Sequence, residues 1–495
     1  MKNHSSNTNS PDLSSIAHQT MIDAGFLPDV PASVSNELRS IESRKPFPAD
    51  SAAKDLRVLL WSSIDNSNSR DLDQVEYAES VPNGDIRLMV GIADVDALVQ
   101  KGSAIDDYAA KNGTSVYTGV KTFSMLPVEL STDMTSLVDG ADRSSIVMEM
   151  VVDNDGAVKS TDIYQARLRN HAKLSYESVG AWLDKNGEIP AGIASVPGME
   201  AQVRLQLDAA KRLHEVRKQH GALELETIES VAVLNTTGQV TDLAVTERNS
   251  ARDLIENFMI AANVAMAQFL EARSPVSLRR VVRTPEHWDR IAELAHGLGE
   301  ELPAVPDSRS LAGFLERRKI ADPLHFPDLS LSIVKLLGPG EYIVQTKAAP
   351  NYGHFGLAVH DYTHSTAPNR RYADLVTQRL TKAVLGQGPA PYSETELGEI
   401  AAHCTEREDA ARKVERKMRK VAAAAFLQPR IGEEFSAIVT GVTPRGTFAR
   451  LLNPPVDGRV MRGEEGLHVG DKVRVRLVST NPMLGFIDFA RIGGG

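Results

Sequence analysis

Three aspartates, Asp65, Asp71 and Asp73, stand close together in the string IDNSNSRDLDQ. Carboxylates about 4 Å apart repel each other by roughly 4 kcal/mol at an effective dielectric near 20, so they need a cation, a shared proton or solvent between them. Mg²⁺ typically binds one or two carboxylates together with waters and substrate phosphates, which makes a metal site one interpretation. The other is a solvated turn, because Asp, Asn and Ser favour turns by hydrogen bonding to nearby backbone.

A second stretch, HFGLAVHDYTHSTAPNRRYADLVTQRL at 354–380, carries residues suited to binding phosphate. Pro368 should end an extended segment, and Asn369–Arg371 should open a helix through YADLVTQRL. Arg370 and Arg371 then lie at a helix N-terminus, where backbone amides favour anions. A guanidinium can also hold a phosphate through two parallel hydrogen bonds, so this stretch predicts a phosphate clamp.

Composition limits the class of protein. The chain has 495 residues, of which 42% are hydrophobic and 24% charged, as expected for a globular protein of two to four domains. No apolar run approaches the ~18 residues that span a bilayer, and the polar N-terminus lacks the apolar core of a signal peptide. Cys404 is the single cysteine, which suits a reducing compartment. We therefore expect a cytoplasmic protein without a membrane segment.

Net charge bears on nucleic-acid binding. The formal charge of −10 argues against broad affinity for nucleic acid, which depends on Lys and Arg meeting phosphates. A nucleic-acid role would need locally concentrated positive charge. Residues 403–420 hold seven Lys and Arg against four Asp and Glu, and so form a locally basic helix. The alternative for this segment is a solvated helix with i,i+4 ion pairs.

The elements that must position the two motifs belong to one large unit, residues 51–430. The apolar run at 58–61, VLLW, predicts a buried strand leading into the aspartate loop. Further strands are predicted at 86–95 and 145–156, where apolar runs end in turn residues. Apolar spacing at 252–271 predicts a buried helix.

Two smaller segments flank this unit. Residues 1–50 predict a short helical segment with a disordered start and two short helices within 13–45. We expect these helices to pack on the larger unit, and the alternative is a small nucleic-acid-binding module. Residues 431–495 alternate apolar and polar residues over several short strands separated by glycines, which predicts an all-β barrel. Phe448 and Phe486 are candidates for stacking on bases there. Nearby arginines are candidates for phosphate contacts: Arg445, Arg450, Arg474 and Arg476.

These motifs resemble a known family. The string IDNSNSRDLDQ resembles the signature I-D-x(5)-D-[LM]-D-D of the RNase II/RNB family of exoribonucleases, with Gln74 at the fourth acidic position. The stretch 354–380 resembles the second family signature, which ends in R-R-Y-x-D-L. Residues 431–495 resemble an OB-fold barrel of the ribosomal S-one type. The N-terminal segment is similar to that of the short bacterial members, which lack paired cold-shock barrels.

The resemblance implies a fold and an activity. The expected fold is α+β, a large RNB catalytic domain with a mixed sheet and helices, followed by the barrel. The expected activity is hydrolytic, processive 3′→5′ degradation of single-stranded RNA to nucleoside 5′-monophosphates by an exoribonuclease II. The expected cofactor is Mg²⁺, with Mn²⁺ as an alternative, used in two-metal catalysis. The expected partner is single-stranded RNA, and the protein is expected to be a monomer.

The resemblance also assigns residues. The implied metal ligands are Asp65, Asp71, Asp73 and Gln74. Arg370 matches the arginine that faces the scissile phosphate, and Tyr117 matches the tyrosine that positions the terminal nucleotide, so Asp71, Asp73, Arg370 and Tyr117 form the implied catalytic set. The implied RNA contacts are Tyr176, Glu256, Arg371, Glu415, Phe448 and Phe486. For Glu256 the alternative is a solvent-facing side chain near a helix start, and for Tyr176 an ordinary amphipathic helix position.

Gln74 is the departure from the signature. Its amide oxygen can still bind a metal, but one negative charge is missing. We expect an active enzyme with weakened metal affinity. The alternative, from another functional class, is a catalytically weak RNB-type protein that binds RNA without degrading it efficiently.

Overall fold

The computed structural model describes residues 12–43, 53–185, 187–228, 230–245 and 247–493. The predicted disordered start lies outside these ranges except for Asp12, which caps the first helix. Within the same ranges no helix has the length and apolar character needed to cross a membrane.

Helices and strands alternate along most of the described chain. The helices, in chain order, are α1 (Leu13–Asp23), α2 (Ala32–Glu42), α3 (Ala104–Asn112), α4 (Tyr176–Lys185), α5 (Ala191–Ala194), α6 (Met199–Gln219), α7 (Ser250–Arg273), α8 (Trp288–Gly297), α9 (Ser308–Ala321), α10 (Phe326–Leu337), α11 (Tyr372–Leu385) and α12 (Glu394–Leu427). The strands are β1 (Lys54–Asp55), β2 (Trp61–Asp65), β3 (Gln74–Ser80), β4 (Ile86–Ala93), β5 (Val116–Tyr117), β6 (Thr122–Phe123), β7 (Asp142–Val152), β8 (Val158–Ser175), β9 (Ser230–Leu234), β10 (Val240–Val245), β11 (Val276–Val281), β12 (Glu341–Thr346), β13 (Glu434–Thr443), β14 (Gly446–Leu451), β15 (Asp457–Arg462), β16 (Lys472–Asn481) and β17 (Phe486–Ile492).

A curled mixed sheet organises the larger unit. Its strand order is β1-β8-β2-β3-β4-β7, and β7 pairs in turn with β8, so the sheet closes on itself. The long strand β8 makes this closure because its first part pairs with β7 and its last part, Asn170–Ser175, pairs with β2. The loop from β2 to β3 therefore emerges from the middle of the sheet, where neighbouring strands fix both of its ends.

The predicted strands at 86–95 and 145–156 are confirmed as β4 and β7, whereas the strand predicted from Val58 is wrong. Val58 is 84% exposed and lies in a turn, and the strand begins only at Trp61. The indole of Trp61 is fully buried, and its N–H donates to the carbonyl of Leu56 at 2.9 Å. An apolar run predicts burial, but the register with β8 decides where the strand starts.

Long helices cover the sheet and connect it to the rest of the chain. The predicted buried helix is α7, which Asn249 caps through a bond from the amide of Arg252. The basic segment belongs to α12, which spans 34 residues and begins with a capping box formed by Ser393 and Glu396. The two predicted N-terminal helices are α1 and α2, and Leu13, Ala17 and Met21 of α1 share an apolar cluster with α12.

The C-terminal strands form a closed five-stranded barrel in the order β13-β14-β15-β17-β16, which confirms the predicted OB-like fold. Its core includes the fully buried Phe489 and Val460. Leu427 and Ala424, at the end of α12, belong to the same apolar cluster. Helix α12 thus joins the barrel to the body of the protein. The mixed α/β body followed by this barrel confirms the predicted fold class.

Candidate active site and RNA-binding surface

The aspartate loop is fixed at its far end by Leu72. The amide of Leu72 donates to Oγ of Ser136 at 2.9 Å, and its carbonyl accepts the amide of Leu137 at 2.9 Å. The Leu72 side chain is 2% exposed. Because this residue is held on both sides, Asp71 and Asp73 project from a defined backbone just before the central strand β3.

Asp73 joins the two sequence motifs. Its Oδ1 accepts the backbone amide of Asn369 at 2.9 Å, and Nε of Arg370 lies 3.6 Å from its Oδ2. That Oδ2 is buried and has no hydrogen-bond partner among the described residues. Burial raises the pKa of Asp73 to about 7, although the nearby Arg370 charge works in the opposite direction. A buried carboxylate oxygen without a partner is costly unless a ligand satisfies it.

Arg370 presents its guanidinium to solvent from a fixed backbone. Its carbonyl accepts the amide of Ser115 at 2.9 Å and the hydroxyl of Thr114 at 3.1 Å. The side chain remains 45% exposed. Gly113 precedes this segment at φ +69°, and a Cβ there would lie 2.7 Å from Cβ of Arg407. Gly113 thus packs closely against α12, and the bonds to the carbonyl of Arg370 hold the Thr114–Tyr117 segment beside the start of α11.

Arg371 differs from its neighbour. As predicted, α11 begins immediately after these arginines, with Arg371 at the N-cap. Its Nε and Nη2 each donate to the fully buried carboxylate of Asp374 at 2.9 Å. The same carboxylate accepts the amide of Ala367 at 2.8 Å. Arg371 therefore fixes the turn that presents Arg370, and its contact with RNA stays a prediction.

Tyr117 links the aspartate loop to α12. Its hydroxyl donates to Oδ2 of Asp71 at 3.1 Å, and its backbone amide donates to Oε1 of Glu415 at 2.9 Å. Burial raises the pKa of the Tyr117 hydroxyl, so this group remains a proton donor at neutral pH. The residue as a whole is still 41% exposed. Tyr117 is thus partly open to solvent while its polar atoms are held on both sides. The region around Asp71, Asp73, Tyr117 and Arg370 is called the cleft below.

The donor set suits a divalent cation. Asp65 lies at the end of β2, and burial raises its pKa above the ordinary value. Gln74, the first residue of β3, is 9% exposed. Among the described residues no three Asp, Glu, His or Cys side chains are arranged to hold one ion. Mg²⁺ bound through two carboxylates, an amide oxygen, waters and substrate phosphate needs no such trio, and the unpartnered Oδ2 of Asp73 supplies a hard donor.

Sequence reasoning missed one acidic residue in this region. Glu76, in β3, is fully buried, and neither carboxylate oxygen has a hydrogen-bond partner in the described part of the chain. Burial raises its pKa well above the ordinary value, and the nearby Asp65 adds to the shift. The sequence feature that indicates its position is the alternation of side chains along β3, which places residues 74 and 76 on one face of the strand.

Comparisons with known proteins show the family of this chain. Residues 53–387 match the model of the RNB domain, and residues 433–492 match that of the RNase II-type exonuclease C-terminal S1 domain. This chain belongs to the RNB family. It is 31% identical to Ribonuclease R of Thermotoga maritima over 94% of this chain and 68% of that protein. The RNB chain spans about 60–68% of the length of such relatives.

Solved RNB structures share the fold. Mycoplasma genitalium RNase R, in complex with ribose-methylated single-stranded RNA, superposes with a TM-score of 0.86 at 23% identity, over 97% of this chain and 78% of that one. Yeast Ssd1, a pseudonuclease, superposes with a TM-score of 0.68 at 19% identity, over 90% of this chain and 55% of that one. The shared fold is therefore compatible with loss of nuclease activity, and activity must be argued from the site.

Two further predicted RNA contacts of the RNB unit lie at the start of helices. The ring of Tyr176, the first residue of α4, packs under the guanidinium of Arg252, whose carbon is 4.3 Å from the ring centroid. Glu256 on α7 is about half exposed, with Arg248 at 3.6 Å and Arg217 at 4.0 Å. Glu256 thus has two arginine neighbours, and its carboxylate is not buried. Their contacts with RNA stay predictions.

The barrel presents its predicted aromatic residues unequally. Phe486 is 59% exposed, whereas Phe448 is half-buried in β14. Arg450 is not the phosphate contact that the sequence suggested, because it is 8% exposed and both terminal nitrogens lie 3.1 Å from the carboxylate of Asp328 on α10. An arginine on a barrel strand faces solvent only where no neighbouring element covers that strand, and α10 covers this one.

Proposed function

We propose that this protein is a divalent-cation-dependent 3′→5′ exoribonuclease that hydrolyses single-stranded RNA processively to nucleoside 5′-monophosphates. The observation that carries the proposal is the convergence of three distant segments. Asp73 and Arg370 lie 3.6 Å apart, and Tyr117 donates to Asp71 in the same loop. Family membership supports an activity of this class.

The reaction adds water across the terminal phosphodiester. The water oxygen bonds to phosphorus, the bond from phosphorus to the 3′ oxygen breaks, and a proton passes to that oxygen. Bound divalent cations would lower the pKa of the attacking water and stabilise the charge on the phosphate and the leaving oxygen. Asp65, Asp71 and Asp73 would hold these ions, with Gln74 as a neutral oxygen donor. Arg370 would place its guanidinium on the scissile phosphate, where charge grows in the transition state.

Other residues would orient the substrate. The half-exposed ring of Tyr117 would position the terminal nucleotide, because its hydroxyl and amide are both held by hydrogen bonds. An aromatic side chain with fixed orientation holds a base at low entropic cost. Tyr176, Glu256 and Glu415 would line the path of the strand. Exposed aromatic and basic residues of the barrel would bind the upstream RNA.

A single degradation assay tests the proposal. A 5′-labelled single-stranded oligomer should be converted with Mg²⁺ to a short end product with few intermediates, should remain intact with excess chelator, and should be protected by a 3′-phosphate. Thin-layer chromatography of a uniformly labelled RNA should reveal nucleoside 5′-monophosphates. Full activity in chelator, or an unchanged rate on the blocked oligomer, would overturn the proposal.

A second function is favoured by one observation. Gln74 stands where the family signature has an acid, and a pseudonuclease has the same fold. A protein that binds RNA in the cleft with little catalysis would bind the labelled oligomer tightly at any Mg²⁺ concentration and leave it uncut over hours. The same gel, run beside a filter-binding measurement, separates this function from nuclease activity.

A further inference from the structure

Glu76 is a buried carboxylate of the kind that binds a cation. Its side chain is fully buried in β3, and both Oε1 and Oε2 lack a hydrogen-bond partner in the part of the chain that the structure describes. Buried polar groups in native proteins are nearly always paired, and a buried carboxylate is among the most costly groups to leave unpaired. Nearby groups do reach its backbone: Nε2 of Gln206 lies 3.2 Å from the carbonyl oxygen of Glu76.

The strand geometry relates Glu76 to Gln74. Strand β3 pairs with β4 in unbroken register from Gln74 to Ser80, so side chains alternate regularly along it. Gln74 and Glu76 therefore point to the same face of the sheet. The acid that the family signature has at position 74 is absent, and a carboxylate stands one strand repeat further on, about 6.6 Å along the strand.

Glu76 also lies beside the aspartate loop. It is paired across the sheet with Ser62 of β2, the strand that ends in Asp65. Asp65 and the hydroxyl of Tyr176 both lie within electrostatic range of Glu76. The unpartnered carboxylate thus lies near Asp65, one of the residues expected to hold the cation.

We propose that Glu76 is a ligand of the divalent cation bound beside Asp65 and supplies the carboxylate that Gln74 lacks. This inference rests on the proposed function. Asp65 and Glu76 would supply two carboxylates and Gln74 an amide oxygen, and Mg²⁺ usually takes its other ligands from water and substrate phosphate. The chain would then keep the charge count of the family signature while moving one charge along the strand.

The test measures metal binding without RNA. Free Mn²⁺ is followed by electron paramagnetic resonance as the full-length protein is titrated, for the parent and four variants. Glu76→Gln and Glu76→Val each remove the charge, and Gln74→Asp/Glu76→Val returns the carboxylate to position 74. Glu79→Gln is the matched control, because Glu79 lies on the same strand but on the opposite face, paired with Arg87 at 2.5 Å.

The proposal predicts that Glu76→Gln and Glu76→Val lower Mn²⁺ affinity at least about tenfold, as expected for loss of a charged ligand. The double variant should recover affinity to within about threefold of the parent, and Glu79→Gln should match the parent. Parent-like affinity in both Glu76 variants would show that Glu76 is a protonated structural residue and would overturn this inference alone. Absence of Mn²⁺ binding by the parent would overturn the metal site of the proposed function and this inference with it. If Glu76→Gln does not fold, the comparison of Glu76→Val with the double variant decides.

Discussion

The cleft and the barrel differ in how far their charged side chains are paired within the protein. In the cleft, Oδ2 of Asp73 is buried without a hydrogen bond from any residue that the structure describes, and Arg370 is 45% exposed beside it. In the barrel, Arg450 is committed to Asp328, and Arg474 and Arg476 both pair with Glu434. The cleft therefore holds charge that a ligand can satisfy, whereas much of the barrel's charge is already satisfied within the protein.

This difference separates two sources of RNA binding. An arginine paired within the protein must break that pair before it can neutralise a phosphate, so it contributes little to the salt-dependent part of the affinity. The exposed aromatic Phe486 has no such cost. The cleft should thus contribute catalysis and most of the charge recognition, and the barrel should contribute mainly stacking, with a smaller charge contribution from exposed arginines such as Arg445.

The largest expected effect is that of Asp73→Asn. Removing this charge should lower the cleavage rate by at least about 10²-fold, the size of effect typical when a preorganised electrostatic group is lost. RNA affinity should stay within threefold, because phosphate contacts elsewhere carry it. Single-turnover rates and filter binding on one oligomer check both parts. Residual activity above about a tenth of the parent would contradict the assignment.

The next effect is that of Arg370→Ala. Loss of a guanidinium at the scissile phosphate should lower the single-turnover rate by about 10²-fold, and Arg370→Lys should restore part of it. Arg283→Ala is the control, because Arg283 is half exposed and paired with Glu341 on the surface. Equal rates for Arg370→Ala and the control would remove Arg370 from the catalytic set.

A smaller effect is expected in the barrel. Phe486→Ala should weaken binding of long single-stranded RNA by about 1–3 kcal/mol, the contribution of one stacked base. Leu452→Ala is the control, because Leu452 is an apolar residue that is 43% exposed but has no aromatic ring to stack on a base. Fluorescence anisotropy with long and short oligomers separates the barrel from the cleft, because the short oligomer should bind all proteins alike.

The smallest effect on RNA is expected for Arg450→Ala. Its guanidinium is paired with Asp328, so RNA affinity should change less than about twofold. As a comparison, Arg445→Ala on the exposed turn should reduce the slope of log affinity against log salt concentration by about one. Stability should fall by about 3 kcal/mol in Arg450→Ala, because the partly buried carboxylate of Asp328 loses its partner. Urea unfolding and salt-dependent anisotropy measure the two quantities. A reduced salt slope in Arg450→Ala would erase the contrast between cleft and barrel.

Local patterns predicted much of this structure. The aspartate loop, the helix start after Arg370 and the barrel follow from turn residues, helix-start signals and strand alternation, which are properties of short segments. The strand predicted from Val58 was wrong because pairing with β8 decides where a strand begins. Arg450 was misassigned because α10, more than a hundred residues earlier, covers it.

The sequence indicates which face of the strand Glu76 lies on, but it does not indicate that the side chain is buried. A glutamate in a strand is ordinarily solvent-facing, and only the closed sheet shows that this one is fully buried. The same holds for Asp73, whose contact with Asn369 joins residues 296 positions apart. Short motifs identified the reacting groups, and long-range packing determined which of them lack partners.

The two hydrogen bonds of Tyr117 have a thermodynamic consequence. Its hydroxyl is bonded to the aspartate loop through Asp71, and its amide is bonded to α12 through Glu415. RNA bound along α12 would shift this tyrosine and so change the free energy of ion binding. Thermodynamic linkage then requires that the ion change the free energy of RNA binding by the same amount. Substrate and metal would then assemble the site cooperatively, with a single phenol as the coupling element.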